Sequence, residues 1–236
     1  MCGSACVFER NEKKFLVTAA REELLTPMLN DFFVPDMHGE ATIYSLYFDT
    51  PDFRLIRQSL ERPVYKEKMR LRSYGMPDDD TEVFLELKKK YKGRVYKRRI
   101  EFSYSQIKDF LLHGGKIPGD SQITREIEYF MHFYGNIAPR VLVCYDRSAY
   151  FAKEDSNIRI TFDKQIRYRF TDVLPDKGDS GELLLPKDMS VMEIKFYHSV
   201  PQYVSDALTS LGIFPHSFSK YGAAYNTELL RRHSNA

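Results

Sequence analysis

The stretch YKEKMRLRSYG, residues 65–75, alternates strictly between cations and other side chains. If it forms a β-strand, successive side chains point to opposite faces of a sheet. One face then carries Lys66, Lys68, Arg70 and Arg72. The other face is mainly apolar and can pack on a core, whereas a helix would scatter the cations around its axis. A solvent-exposed sheet face is the common explanation for such a strand, so the interpretation depends on whether other strands repeat the pattern.

The same alternation recurs in other stretches that favour strands. In TEVFLELKKK, Glu86 and Lys88 share one face while Leu85 and Leu87 share the other. The stretches RVYKRRIEF, VCYDRSAY, NIRITFD and VMEIKF show a similar division into an apolar and a charged face. Five or six strands are therefore expected to present one face of mixed Lys, Arg and Glu.

Two arrangements would accommodate such strands: an open sheet with a solvated face, or a closed barrel that turns the charged faces inward. Buried cations are costly unless paired, so a barrel interior with this many requires acidic side chains, water and an anionic ligand. A long polyphosphate would suit it, because Arg binds phosphate with a bidentate fork and Lys as a point charge. A few carboxylates would hold the divalent metal that accompanies phosphate chains. The simpler alternative is a solvated face with scattered salt bridges of little energy.

The composition is that of a globular chain, with 236 residues of which 43% are hydrophobic, enough for one good-sized core. Lys and Arg number 35 against 33 Asp and Glu, a net charge of +2, so any basic site must be local. No stretch approaches the roughly 18 apolar residues of a membrane span. These features predict a soluble, cytoplasmic protein. The cysteines, Cys2, Cys6 and Cys144, show neither a disulfide framework nor a metal-binding spacing.

The order of strand-like and helix-like stretches predicts an α+β protein, with one antiparallel sheet and helices packed outside it. Strands are expected at residues 13–17, 43–49, 64–74, 82–90, 94–102, 140–150, 158–163, 166–170 and 191–197. Helices are expected after Thr18 and in SQIKDFLLHGG, TREIEYFMHFYG and VPQYVSDALTSLG. Short connections such as residues 91–93 require antiparallel pairing. Residues 171–188, rich in Asp, Gly and Pro, are expected to form a long loop.

Eight motifs in order, YFDTPDF, KMRLRSYG, ELKKK, YKRRIEF, YDRSAYF, RITFD, MEIKF and FSKYG, resemble those of the VTC domain. This domain is the polyphosphate polymerase branch of the triphosphate tunnel metalloenzyme superfamily. Each motif is weak alone, but their order and strand phase together are specific, and they extend from about Glu12 to Tyr225. The resemblance implies an antiparallel β-barrel of about eight strands that forms a tunnel. It divides the chain into a loose N-terminal tail, residues 1–11, and a single VTC-like tunnel domain, residues 12–236.

The resemblance also implies roles for individual residues. Five would be catalytic: Arg70, Arg72, Arg147, Arg159 and Lys220. Five would bind substrate: Lys14, Lys88, Lys97, Tyr145 and Ser219. Glu193 in MEIKF would hold a Mn²⁺ or Mg²⁺ cofactor, although a simple counter-ion role is its alternative.

Two departures from the family pattern bear on function. The K-F-S-K pattern of the family provides two lysines of the tunnel. This chain has Ser217 in place of the first lysine, so the contact made by that lysine is not expected here. Hydrolases of the superfamily begin with E-x-E-x-K, whereas the same spacing here gives Arg10, Glu12 and Lys14. Fewer carboxylates disfavour a water-activating two-metal site, while transfer between phosphates needs mainly positioning and charge neutralisation. The sequence therefore favours the polymerase branch.

The resulting prediction is a metal-dependent phosphotransferase that moves the terminal phosphoryl group of ATP onto phosphate or a growing polyphosphate chain. Its partners would be ATP and inorganic polyphosphate. No nucleic acid is expected, since the aromatics lie mostly opposite the cations rather than among them. The chain has no membrane segment of its own, which leaves room for a membrane partner that carries the product away. Two alternatives stay open: a triphosphatase in the same tunnel, and a non-catalytic module that binds polyphosphate, inositol phosphates or RNA.

Several further residues on the charged faces stay open at this point. For four cations the sequence does not decide between contact with the ligand and a solvated position at the rim: Lys66, Lys68, Arg99 and Lys195. Three glutamates are expected to act as counter-ions: Glu82, Glu86 and Glu101. Tyr47, like most of the strand aromatics, is expected in the core rather than in a binding site.

Overall fold

The structure is a computed structural model that describes residues 11–37, 39–92 and 94–234. Within these ranges the strands are β1 Asn11–Thr18, β2 Phe33–Pro35, β3 Ala41–Asp49, β4 Tyr65–Tyr74, β5 Glu82–Tyr91, β6 Arg94–Ser103, β7 Ala138–Ala152, β8 Arg159–Arg169, β9 Glu182–Leu183 and β10 Met189–Phe196. The α-helices are α1 Ala19–Leu29, α2 Arg54–Leu60, α3 Tyr104–His113, α4 Gln122–Tyr134, α5 Gln202–Ser210 and α6 Lys220–Ser234, and a 3₁₀ turn covers Pro175–Lys177. No helix in the described ranges is both long and apolar enough to cross a membrane.

The predicted strands are all present, with ends that differ by at most a few residues. The two strands expected at 158–163 and 166–170 form one strand, β8. Gln165 takes a positive φ of 47°, and the pairing of β8 with β7 shifts register between Cys144 and Asp146. A bulge of this kind absorbs an extra residue and lets the strand continue. The short strands β2 and β9 and the helices α2 and α6 were not predicted.

All ten strands belong to one antiparallel sheet in the order β1-β10-β8-β7-β3-β4-β5-β6, with β2 paired to β7 and β9 to β8. This confirms the α+β class. The expectation of a closed barrel is not met in the described residues, because no hydrogen-bonded ladder joins β1 to β6 at the two ends. The predicted tail, residues 1–11, is described only at Asn11, which begins β1, so this division of the chain stays a prediction.

Two apolar clusters cover the outer face of the sheet. One joins α3 and α4 to β4 and β5 through buried residues such as Met69, Leu85 and Ile107. The other joins α1 and α5 to β1, β8 and β10 through residues such as Leu25 and Met192. The alternation seen in β4 and β5 has its physical basis here, since their apolar residues face α3 and α4.

The inner face of the sheet is covered in part by α6, which corrects the expectation that every helix packs outside. Tyr221, Ala224 and Tyr225 of α6 are buried against inward-facing residues of β3, β7 and β8, among them Val141 and Val143. Because α6 begins at Lys220, its first turn reaches the charged part of the same face. The remainder of the inner face is left for polar side chains.

The motif YFDTPDF holds α2 and α6 to the end of β3. The fully buried carboxylate of Asp49 accepts hydrogen bonds from the backbone N–H groups of Leu55 and Ile56, at 2.9 and 3.0 Å. It also accepts one from the Tyr221 hydroxyl at 2.7 Å. Asp49 therefore satisfies the otherwise unpaired N–H groups at the start of α2 and fixes α6 on the inner face.

Candidate active site

A polar cavity of about 160 Å³ lies on the inner face of the sheet, roughly ten times the volume that one water molecule requires. Eight cations and three carboxylates line it, so the walls carry a strong positive excess. The lining residues are Glu12, Lys14, Tyr47, Lys68, Arg70, Arg72, Glu86, Lys88, Tyr145, Arg147, Glu193, Lys195, Ser219 and Lys220. Burial of like charges is unfavourable, and an arrangement of this kind is suited to an anionic ligand.

The β4 wall of the cavity comes directly from the alternation in YKEKMRLRSYG. Lys68, Arg70 and Arg72 project inward, while Met69 and Leu71 between them are buried in the outer core. Because side chains on one face of a strand are two residues apart, the three cations form a row along β4. This row is the longest run of cations in the cavity.

Glu86 on β5 neutralises the middle of this row. Its carboxylate is 1% exposed and contacts Arg70 at 2.7 Å, Lys97 at 2.6 Å and Arg99 at 3.4 Å. Burial alone would raise the pKa of Glu86, but Arg70, Arg72 and Lys97 outweigh burial and hold it well below its usual range. Glu86 is thus a counter-ion, the role expected of it.

We expect Glu86→Gln to lower the free energy of unfolding by about 3–5 kcal/mol, because three cations would then lose a buried partner. The depressed pKa means that this stabilisation is complete above the pKa of an unfolded glutamate and is lost as the pH falls below it. Urea denaturation at pH 7 measures the effect. Glu101→Gln on β6 is the control, since Glu101 is exposed and should change stability by no more than ~0.5 kcal/mol. Equal stability of the two variants would contradict this role for Glu86.

Arg72 is held by hydroxyl groups instead of a carboxylate. Its guanidinium is buried and donates to the Tyr145 hydroxyl at 3.0 Å and to Ser45 Oγ at 3.4 Å, while its Nε has no hydrogen-bond partner among the described residues. Burial raises the pKa of Tyr145, but Arg72 and Arg147 outweigh it and lower the pKa. A buried arginine with an unsatisfied donor is prepared to bind an anion.

Asp163 of β8 organises the opposite wall. Its fully buried carboxylate accepts two hydrogen bonds from Arg147, at 2.6 and 2.8 Å, and one from Lys220 at 2.5 Å. Burial would raise the pKa of Asp163, but Lys220 and Arg147 lower it. Both cations also lie over the Tyr145 ring: Arg147 Cζ is 5.2 Å and Lys220 Nζ is 4.5 Å from the ring centroid. Asp163 therefore positions two cations that are expected to contact substrate.

Glu193 lies between cations at the β1–β10 side of the cavity. It contacts Arg147 at 3.7 Å and Lys195 at 3.8 Å, and Glu12 lies in the same cavity lining. Burial raises the pKa of Glu193, but Lys195 and Lys14 outweigh it and lower the pKa well below its usual value. Among the described residues there is no cluster of three or more metal-ligating side chains. Two adjacent carboxylates nonetheless fit a hard divalent cation whose other ligands are phosphate oxygens and water.

The segment before α6 is attached to β1, which brings Ser219 into the cavity. Lys14 Nζ donates to the Phe218 carbonyl at 3.2 Å, and the His216 N–H donates to the Lys14 carbonyl at 2.7 Å. Lys14 also pairs with Glu12 at 3.2 Å. Burial lowers the pKa of Lys14, but Glu193 and Glu12 outweigh it and raise the pKa, so this lysine stays charged.

Nine of the eleven predicted site residues line the cavity: Lys14, Arg70, Arg72, Lys88, Tyr145, Arg147, Glu193, Ser219 and Lys220. Lys97 lies on β6 outside the lining and reaches the site through Glu86. Arg159 also lies outside it, where it donates to Asp36 at 3.0 Å and stacks over Phe151. Arg10 falls outside the described residues.

Five lining residues were not predicted as site residues: Glu12, Tyr47, Lys68, Lys195 and Glu86, of which Glu86 was expected as a counter-ion. Tyr47 stacks on Tyr221 with ring centroids 4.7 Å apart, so it is both a core residue and a cavity residue. The polar Ser45, two positions earlier in an otherwise apolar strand, is the signal that this face of β3 meets a polar site. Lys68 shows the alternation as clearly as Arg70, but a pattern of faces does not tell how far along a strand the cavity extends.

The solved structures that share this fold include two with a TM-score above 0.5. One, from Bacillus halodurans and provisionally assigned as an adenylate cyclase, is 13% identical, covers 90% of this chain and 96% of its own, and has a TM-score of 0.54. The other, from Hippeastrum, carries a similar assignment and is described as having a dominant triphosphatase activity. It is 16% identical, covers 92% of this chain and 95% of its own, and has a TM-score of 0.55. At these identities the likeness shows the fold alone.

The fold and the cavity together define an α+β protein with a cationic cavity on the inner face of a large antiparallel sheet. The sequence model of the VTC domain matches residues 9–229, nearly the whole chain, and the protein belongs to this family. No curated protein matches the chain significantly.

Proposed function

We propose that this protein is a metal-dependent polyphosphate polymerase that uses ATP. The observation that supports it best is the cavity, in which, within the described part of the chain, eight cations face three carboxylates and Arg72 has a buried donor without a partner. Membership of the VTC domain family supports the choice of polyphosphate as the anion. The cytoplasmic location expected from the sequence stays a prediction.

The proposal includes a tunnel that encloses the phosphate chain. Its support is that side chains from opposite ends of the strand order, Lys14 on β1 and Lys88 on β5, line one cavity. Charge also acts across the gap between these strands, because Glu12 on β1 raises the pKa of Lys88 against the lowering by burial. Closure between β1 and β6 would complete the barrel predicted from the sequence.

The reaction is an in-line phosphoryl transfer. The bond between the γ-phosphorus of ATP and the β,γ-bridging oxygen breaks, ADP leaves with that electron pair, and an oxygen of phosphate or polyphosphate forms the new bond. Catalysis of this type consists mainly of alignment and charge neutralisation. The groups proposed to neutralise the phosphoryl oxygens are Arg70, Arg72, Arg147 and Lys220, with Arg159 as an outer contact.

The remaining predicted residues would hold the substrate and the metal. Lys14, Lys88, Lys97, Tyr145 and Ser219 would bind the phosphate chain as charges and hydrogen-bond donors. Glu193, with Glu12 beside it, would hold Mn²⁺ or Mg²⁺. When bound, such an ion neutralises negative charge on phosphate oxygens.

We expect the protein to form long polyphosphate and ADP from ATP in the presence of Mn²⁺. The measurement is gel sizing of the products together with assays of ADP and free phosphate. Free phosphate without chains would instead indicate a triphosphatase, the activity described for the Hippeastrum protein. Tight binding of tripolyphosphate without any turnover would indicate a non-catalytic binding module. Either result would reject the polymerase proposal.

A further inference from the structure

Charge compensation is uneven around the cavity. Arg70, Arg147 and Lys220 each contact a buried carboxylate, and Lys14 and Lys195 each contact a glutamate of the lining. Among the described residues, no ion pair joins Lys68, Arg72 or Lys88 to a carboxylate. These three residues lie on β4 and β5, so the uncompensated positive charge is concentrated on one wall.

Of these three cations, Lys68 has the least nearby negative charge to offset its own positive charge. It lies directly opposite Lys88 in the β4–β5 register, and Lys66 and Lys90 form a second opposed pair beside it. Like charges directly opposite each other destabilise a sheet. The hydrogen bond of Lys68 Nζ is to the Ser219 hydroxyl, at 3.2 Å, a neutral partner that cannot offset the charge.

The elements around Lys68 place four lysines and two hydroxyl groups near it, and of these only the Tyr47 phenol, whose own pKa is lowered, opposes the positive charge among the described residues. The facing residues are Lys14 of β1, Tyr47 of β3, Lys66 of β4, Lys88 of β5, and Ser219 and Lys220 at the start of α6. Burial lowers the pKa of Lys68, Tyr47 raises it, and Lys66, Lys88 and Lys14 lower it further, to about 8. An anion placed between Lys68 and Lys88 would reverse this balance and favour the protonated lysine.

We propose that Lys68 is an additional phosphate-binding residue of the cavity and that it takes up a proton as the phosphate chain binds in mildly alkaline solution. The inference rests on the proposed function for the nature of the ligand. It decides for Lys68 between the two alternatives that the sequence left open, contact with the ligand and a solvated position at the rim. Since phosphate binds the protonated lysine, affinity is expected to fall as the pH rises through about 8, by up to ~10-fold per pH unit.

The test is calorimetric binding of inorganic tripolyphosphate to the full chain, without metal, for the wild type, Lys68→Met, Lys68→Arg and Lys89→Met. At pH 7, Lys68→Met should bind about 10- to 100-fold more weakly. Lys68→Arg should bind within about threefold of the wild type, because arginine keeps the charge at every pH used. Lys89→Met is the matched control, since Lys89 lies one position from Lys88 but on the outer face, paired with Glu67 at 3.5 Å.

Lys68→Arg keeps the positive charge but does not titrate in this pH range. It therefore tests whether protonation of Lys68 determines the pH dependence of binding. Between pH 7.5 and 9.5 the affinity of the wild type should fall about tenfold more than that of Lys68→Arg. Titrations in two buffers of different ionisation enthalpy should show greater proton uptake by the wild type at pH 8.5. Ionisation of tripolyphosphate itself is common to both proteins and cancels in the comparison.

Three results would overturn the inference. Wild-type affinity in Lys68→Met would show that Lys68 does not contact phosphate. An identical pH dependence in the wild type and Lys68→Arg would show that Lys68 does not take up the proton. Failure of the folded wild type to bind tripolyphosphate at all would reject the proposed function as well, whereas the first two results would leave it intact.

Discussion

Replacement of Arg72 with Ala is expected to lower turnover of ATP into polyphosphate by at least ~10³-fold. Arg72 is buried, has no carboxylate partner in the described part of the chain, and holds an unsatisfied Nε donor. Its positive charge is therefore available to the phosphoryl oxygens, where removal of one preorganised donor is costly. Because no ion pair is lost, the variant should still fold, which circular dichroism checks.

A matched control for this change is Arg98→Ala. Arg98 lies in β6 of the same sheet but faces α4, where it pairs with Glu126 at 2.9 Å. This variant should keep turnover within about twofold and lose at most ~1 kcal/mol of stability. If Arg72→Ala retained near-normal turnover and tripolyphosphate affinity, the β4 wall would not be the catalytic wall.

Glu193→Gln is expected to lower turnover on the order of 10²-fold while ATP still binds in the absence of metal. The change keeps the shape of the side chain but removes the charge that a divalent ion requires. ATP binding without metal should be unchanged or tighter, because Lys195, Lys14 and Arg147 lose a competing anion. Turnover measured across a Mn²⁺ titration, beside calorimetry with ATP alone, checks both parts.

The counter-ion role predicts another outcome for Glu193. In that case Glu193→Gln would retain its metal dependence and turnover and would only unfold at lower temperature. Glu101→Gln serves as the control, since Glu101 is an exposed carboxylate on β6 outside the cavity lining. If the metal dependence survives in Glu193→Gln, the metal must be sought at one of the other carboxylates of the charged faces: Glu12, Glu82, Glu86 or Asp163.

The strands were predictable because burial of one face imposes a period of two. Met69 and Leu71 on β4, and Leu85 and Leu87 on β5, had to be apolar to pack under α3 and α4. Closure of the sheet was not predictable, since an open curved sheet and a barrel require the same alternation. Helix α2 was missed because its N-terminus depends on Asp49, whose buried carboxylate looks in the sequence like an ordinary turn residue.

The candidate site was predictable where strand phase alone places a side chain, as for Arg72 and Glu193. It was less predictable where position along a strand matters. Arg159 has the inward phase of Asp163 but lies four residues away, outside the cavity lining and beside Asp36. Tyr47 was assigned to the core because an aromatic ring suits either environment, and only the packing of α6 shows that it meets both.

The pairing of β1 with β10 has a consequence for how the chain matures during its synthesis. β1 ends at Thr18, and the strand that it joins begins at Met189. At ~5–20 residues per second, a ribosome needs on the order of 10–30 s to make the intervening chain, and β1 waits throughout with its hydrogen-bonding edge uncovered. Lys14 and Glu193 are register partners in this last ladder. The two sides of the cavity therefore meet only after nearly all of the polypeptide exists, so the cavity forms late in synthesis.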